Sequence, residues 1–239
     1  MSTLVDEIVD AYGGSDRWRE VATISAHKRF GGAIWELKQV PGIVEDGEIT
    51  VWIHEQRTSL RPFTAPTLKT DYTPQRVAIE TLDGEPVDTL VDPRATFTGH
   101  TLQTPWSRLQ LAYFTGYAMW SYLAEPLNLT LPGVTATEGP NWTEDGNTWR
   151  RLLVSYPPSI ATHSTEQVLY IDDAGLIQRR DYQVDIAGGS PAAHYVSEFE
   201  HIDGLVVPAK RMIYVRDESG HPILDQLVVS IELSDIQVA

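Results

Sequence analysis

Residues 194–213 read HYVSEFEHIDGLVVPAKRMI. Two β-rich runs are joined by Asp203-Gly204, a dipeptide favoured in two-residue hairpins because both central positions take positive φ. Such a turn sets the register, pairing Ile202 with Leu205, Phe199 with Pro208, Ser197 with Lys210 and Tyr195 with Met212. One face of the hairpin then carries Tyr195, Phe199 and Met212. The other carries His194, Glu198, Glu200 and Arg211 among Val196, Val207 and Ile213, and reads as partly wet. The first set is therefore expected to point inward.

The same pattern repeats outward from this hairpin. Strand-like runs occupy 226–238 on one side and 192–202, 175–186, 164–171, 147–156 and 133–138 on the other. Further toward the amino terminus they occupy 87–91, 75–82, 57–62, 48–54, 33–39 and 22–30, with breaks at Gly31-Gly32, Pro41-Gly42, Asp46-Gly47 and Asp83-Gly84. Some of these runs are short, and the chain reads as carrying about eleven strands. Parallel neighbours need crossovers of a dozen or more residues, which are missing, so the sheet reads as an antiparallel meander.

Two segments depart from that pattern. Leu4, Val5, Ile8, Val9 and Tyr12 fall at helical spacing before Gly13-Gly14, which predicts a short amphipathic helix. In 104–125, Thr104 can cap, Pro105 suits the first helical position, and Trp106, Leu109, Tyr113, Tyr117 and Trp120 recur every three or four residues until Pro126. Leu111, Phe114, Met119, Tyr122 and Leu123 add apolar bulk on its other sides, so this long helix is expected to be covered on more than one side.

The composition is that of a globular chain: 239 residues, 42% hydrophobic and 21% charged. A net charge of −15 repels phosphate backbones, and no basic patch offsets it, so no nucleic-acid partner is expected. No cysteine is present, which excludes disulfide and thiolate chemistry. The amino terminus lacks the cationic start and apolar run of a secretion signal, and no stretch reaches the ~20 apolar residues of a membrane span. A cytoplasmic location is expected. Unpaired sheet edges invite pairing, so a homo-oligomer is one expected use of them.

The helix ending Ala11-Tyr12-Gly13-Gly14, with Arg17-Trp18, Val21 and Ile24 after it, resembles the opening of the bacterial lipoprotein carriers of the LolA and LolB type. The segment from Phe199 to Lys210, with its Asp-Gly turn and following Pro208, resembles their late hairpin. The resemblance implies an open half-barrel whose concave side is closed by helices, with a hollow that in that family accepts acyl chains. It transfers no functional residue, because the matching positions are turns and packing positions. The chain departs from the family in having neither an export signal nor a lipid-attachment cysteine. The expected fold is mainly β: one curved antiparallel sheet, an N-terminal helix and a long aromatic helix on the concave side, in a single domain spanning 1–239.

Chemical motifs are sparse. His27, His54, His100, His163, His194, His201 and His221 are scattered singly, with no HExxH or HxH, so no metal site is expected. GxSxG, P-loop and dinucleotide fingerprints are absent, and no cofactor is expected. His163 shares strand parity with Gln167, Leu169 and Ile171, which makes it the best single acid–base candidate, whereas His194 falls on the mixed hairpin face. The run Arg179-Arg180-Asp181-Tyr182 faces Glu166 and Gln167 across the Asp173-Ala174-Gly175 turn unless a glycine bulge shifts the pairing by one. It reads as a surface ion-pair ladder or as an anion clamp.

Three functions follow. The first is binding of an apolar or amphipathic small molecule against Trp106, Tyr113, Tyr117, Trp120, Tyr195, Phe199 and Met212. The second is a cofactor-independent cyclase, isomerase or hydrolase in the same hollow, with His163 and Tyr182 as its catalytic candidates. The third is a protein-interaction module using the open edge of the sheet or the helix as a docking surface.

Overall fold

The computed structural model describes residues 3–239. Helix α1 (Leu4–Ala11) forms where Leu4, Ile8 and Val9 share a buried stripe, and Thr3 with Asp6 closes a capping box at its start. A short helix α2 (Ser15–Glu20) follows and buries Trp18, whose indole N–H donates to the Tyr12 carbonyl at 3.1 Å. Between them Gly13 has φ 116°, and a Cβ there would lie 2.3 Å from the Gly204 carbonyl oxygen. Close approach therefore demands glycine as much as the helix stop does. Arg17 Nε donates to the Asp203 carbonyl at 2.7 Å and Val206 N to the Tyr12 carbonyl at 3.2 Å. The two motifs that resemble the LolA and LolB type thus meet in space.

Among the described residues one sheet takes every strand. Its first wing consists of β1 (Thr23–Gly31), then, after a short helix α3 (Ile34–Leu37), β2 (Asp46–Trp52), β3 (Arg57–Arg61), β4 (Leu68–Thr73), β5 (Arg76–Thr81) and β6 (Pro86–Val91). After helix α4 (Arg108–Leu123) come β7 (Thr135–Glu144), β8 (Asn147–Ser155), β9 (Glu166–Ile171), β10 (Ile177–Val184), β11 (Ser190–Ile202), β12 (Leu205–Arg216) and β13 (Pro222–Val238). The order is β6-β5-β4-β3-β2-β1-β13-β12-β11-β10-β9-β8-β7. Each wing is a meander, β1 against β13 is the antiparallel seam, and β6 and β7 are edges that never meet.

Every residue of α4 from Leu111 to Leu123 is buried. The helix lies closest to β2–β6, and a Cβ on Gly116 would come within 2.3 Å of the Tyr72 ring of β4. On its other side the Tyr122 ring meets His194 of β11 at 4.6 Å, and the Tyr122 carbonyl accepts from Arg211 of β12 at 3.1 Å. One helix touched by both wings requires the sheet to bend around it, which gives an open half-barrel with α4 on its concave side. Among the described residues no helix is long and apolar enough to cross a membrane.

Several sequence expectations are corrected. The sheet has thirteen strands rather than about eleven. The run at 33–39 contains α3 because Trp35 folds back, stacking on Phe30 (centroids 5.8 Å apart) and donating its indole N–H to the Gly31 carbonyl at 3.1 Å. Strand β4 escapes the alternation rule because one of its two fully buried residues is polar: Thr70, whose hydroxyl accepts from Leu60 N at 2.9 Å. Helix α4 starts at Arg108, since Ser107 and Gln110 form its capping box and leave Pro105 outside.

The hairpin register around Asp203-Gly204 is the expected one, but the facing is reversed. His194 and Arg211 are fully buried with Val196 and Ile213 on the concave side, while Tyr195 and Met212 point outward. The inward polar groups are tolerated because helix α4 brings them hydrogen-bonding and aromatic partners. Arg179, Arg180 and Asp181 are also buried rather than on the surface. A bulge between Ile177 and Arg179 places Arg180 opposite Leu169 and Asp181 opposite Val168.

Candidate functional site

The face of α4 turned toward the second wing is the stripe Phe114, Ala118, Met119 and Tyr122. Together with Phe30 of β1, Trp35 of α3, Ile213 of β12 and Ile231 of β13 it bounds a narrow apolar slot of about 40 Å³, room for a few water-sized groups. A hydrogen-bonded polar patch of Tyr122, His163 and Tyr182 borders this slot, and Thr115, Ser190 and Tyr214 line it elsewhere.

His163 sits in the loop before β9, on the ring of Tyr182 from β10, with centroids 4.1 Å apart and planes 5° from parallel. Both ring nitrogens are engaged: Nδ1 with the Tyr117 hydroxyl at 3.2 Å and Nε2 with the Tyr122 hydroxyl at 2.7 Å. The Tyr122 hydroxyl also lies 3.0 Å from that of Tyr182. Burial, with the charges of Arg180 and Arg94 behind it, pushes His163 well below the ordinary histidine value. Burial likewise lifts Tyr117, Tyr122 and Tyr182 above the usual phenol range. The relay is therefore neutral near pH 7.

Behind Tyr122 lies a second layer. The His194 ring meets Tyr122 edge-on, and neither of its nitrogens has a hydrogen-bond partner among the described residues. Burial, then Arg211 and Arg180, hold it well below its ordinary value. Arg180 pairs with Glu125 just beyond α4, both buried; burial opposes the Arg180 charge, and Glu125 together with Tyr156, Tyr122 and Tyr182 outweighs it. Arg211 is 1% exposed, and its Nε has no hydrogen-bond partner among the described residues. Its guanidinium lies 5.0 Å from the Tyr122 ring centre and that of Arg180 lies 5.9 Å away.

The structure brings His163 and Tyr182 together at the slot, along with Tyr117 one bond behind. Tyr117 itself does not border the slot, nor do Trp106, Tyr113 and Trp120. Trp106 packs on Phe114 at 4.7 Å under the Lys38 ammonium, Tyr113 packs on Tyr72 and Phe97, and Trp120 donates to the Trp52 carbonyl at 3.1 Å. Phe199 is half-buried away from the slot.

Tyr195 belongs to an ionic cluster on the outward face, where its hydroxyl donates to Glu144 and accepts from Arg179 at 3.1 Å. Arg179 also pairs with Asp181 at 2.7 Å. Burial raises the Glu144 carboxyl, but hydrogen bonds from Tyr195 and Trp142 with the Arg179 charge outweigh it and lower the net value. Met212 lies beside this cluster in a surface hollow with His221 and Leu224. Sequence reasoning did not single out Tyr122, Glu125, His194 or Arg211 as site residues. The usable signal was that His194 and Arg211 share a hairpin face with Val196, Val207 and Ile213.

The chain matches no protein-family model and no curated protein. Among solved structures it is similar to a LolA superfamily protein from Nitrosomonas europaea, with a TM-score of 0.53 at 11% identity over 98% of this chain and 92% of that one. It is also similar to a Vibrio parahaemolyticus protein domain named for outer-membrane lipoprotein sorting, with a TM-score of 0.54 at 8% identity over 98% and 90%. The chain has a LolA-like fold.

Proposed function

We propose that this chain binds an apolar or amphipathic small molecule in the slot between α4 and the second wing, acting as a carrier or sequestering protein. The observation that carries this reading is a predominantly apolar slot bounded by α4 and both sides of the seam, with the Tyr122, His163 and Tyr182 patch on its wall. Burial of ligand surface would drive binding, at about 25 cal/mol per Å². Met119 in the lining is an unbranched, adaptable side chain, suited to making room for a longer chain. The Vibrio neighbour, named for lipoprotein sorting, supports lipid-like cargo as the first class to test. The cytoplasmic setting is part of the same proposal, and cell fractionation tests it.

Native mass spectrometry of gently purified protein is expected to show an adduct lost on organic extraction. Protein that carries no adduct and takes up no added amphiphile overturns the proposal. A second reading, a cofactor-independent enzyme, is favoured by one observation: Tyr122, His163 and Tyr182 converge at one point of a mostly apolar wall. There a phenol could donate a hydrogen bond to a substrate carbonyl as negative charge develops on it. Conversion of the extracted ligand by the wild type, abolished in Tyr182→Phe, would favour the enzyme; release of the ligand unchanged favours the carrier.

A further inference from the structure

A neutral imidazole has one N–H and each phenol one O–H. Tyr117, Tyr122, Tyr182 and His163 therefore bring four protons to the three hydrogen bonds that join them, and one proton is left over. If His163 is protonated on Nδ1, it donates to Tyr117, and the spare proton falls on the Tyr117 hydroxyl, away from the slot. If it is protonated on Nε2, the spare proton falls on Tyr122 or Tyr182, both of which border the slot. An acceptor bound there selects the second tautomer.

Charge points the same way. Behind these hydroxyls, two guanidiniums, Arg180 and Arg211, face one carboxylate, Glu125, which leaves a net charge of +1. His163 and His194 are neutral, and Arg94 is matched by Asp185 at 3.1 Å. A buried cation without a counterion is costly, so it needs a reason to persist.

We propose that the polar patch of the slot seats the anionic head of an amphipathic molecule, a carboxylate being the simplest case. Its oxygen accepts the spare hydroxyl proton of Tyr122 or Tyr182 as a hydrogen bond, and the surplus guanidinium charge balances it. His194, unpartnered and edge-on to Tyr122, is a further donor when that ring turns aside. The inference rests on the apolar-slot reading above and adds the class of head group.

Calorimetric titration of the full chain with decanoate, methyl decanoate and decanol tests it. The carboxylate is expected to bind about tenfold tighter than either neutral analogue, the order of a hydrogen bond to a charged group. Arg211→Met should bring the three within roughly threefold of one another by removing the surplus charge. Equal binding of all three to the wild type overturns the anionic head while sparing the apolar slot. Failure of all three to bind overturns the slot reading itself. A carboxylate preference that persists undiminished in Arg211→Met overturns the assignment to this cluster, and should that variant not fold, the wild-type comparison still decides.

Discussion

Glu125→Gln removes the one carboxylate facing Arg180 and Arg211, raising the buried charge from +1 to +2. Removing one partner of a buried ion pair costs about 3–5 kcal/mol, because the remaining charge stays desolvated. At 239 residues each kcal/mol shifts the melting temperature by roughly 2–4 °C, so a fall of about 6–20 °C is expected. Arg211→Met has the opposite effect on the balance. It leaves Arg180 and Glu125 matched and puts an apolar side chain where a guanidinium pays desolvation, so ligand-free stability should stay within about 1 kcal/mol of the wild type or exceed it. Urea unfolding of ligand-stripped protein, followed by tryptophan fluorescence with m-values compared, measures both. The charge count is refuted if Glu125→Gln costs less than about 1 kcal/mol while Arg211→Met costs about 3 kcal/mol or more.

Three further outcomes are expected. His163 and His194 are held well below the ordinary histidine value by burial, so below about pH 6.5 the unfolded chain binds their protons and the folded chain does not. Stability is full above that pH and falls as acid is added, by about 1.4 kcal/mol per pH unit for each histidine; His163→Asn should remove one such contribution, and identical slopes in variant and wild type would contradict this. Gly116→Ala should lower the melting temperature, because a methyl against the Tyr72 ring costs about 1–3 kcal/mol and outweighs roughly 1 kcal/mol of gained helix propensity; an unchanged or higher melting temperature speaks against that close contact. Tyr195→Phe should leave decanoate affinity within about twofold while Tyr182→Phe lowers it about tenfold, and the reverse order would move binding to the outward face.

Legibility of the fold from sequence tracked how local each determinant is. Asp203-Gly204 dictates its own pairing, and the register it implied is the one observed through Tyr195 and Met212. Facing is not local. Tyr195 looks like an inward residue and Arg211 like an outward one until the Tyr122 carbonyl and the Glu144 carboxylate are known to lie on opposite sides of the sheet. The long helix is aromatic on every side, so its sequence says it is covered but not which stripe meets the sheet; Gly116, which lets it settle on Tyr72, is the one residue that marks that face. His163 was legible as the best single histidine. Tyr182 was named beside it, but the hydrogen bonds to Tyr117 and Tyr122 were not legible, because both phenols come from α4, 41 to 46 residues before it.

The way α4 is mounted explains why space and polarity coincide. Against the first wing the helix packs closely, glycine to ring. Toward the second wing it is met by long side chains, the guanidiniums of Arg180 and Arg211 and the rings of His163, Tyr182 and His194. A gap spanned by side chains opens through rotamer changes, whereas a gap closed by backbone packing opens only if an element moves. Binding in the slot can therefore proceed while the sheet and the seat of α4 stay in place. It also brings the ligand against the groups whose protons and charges are unmatched without one.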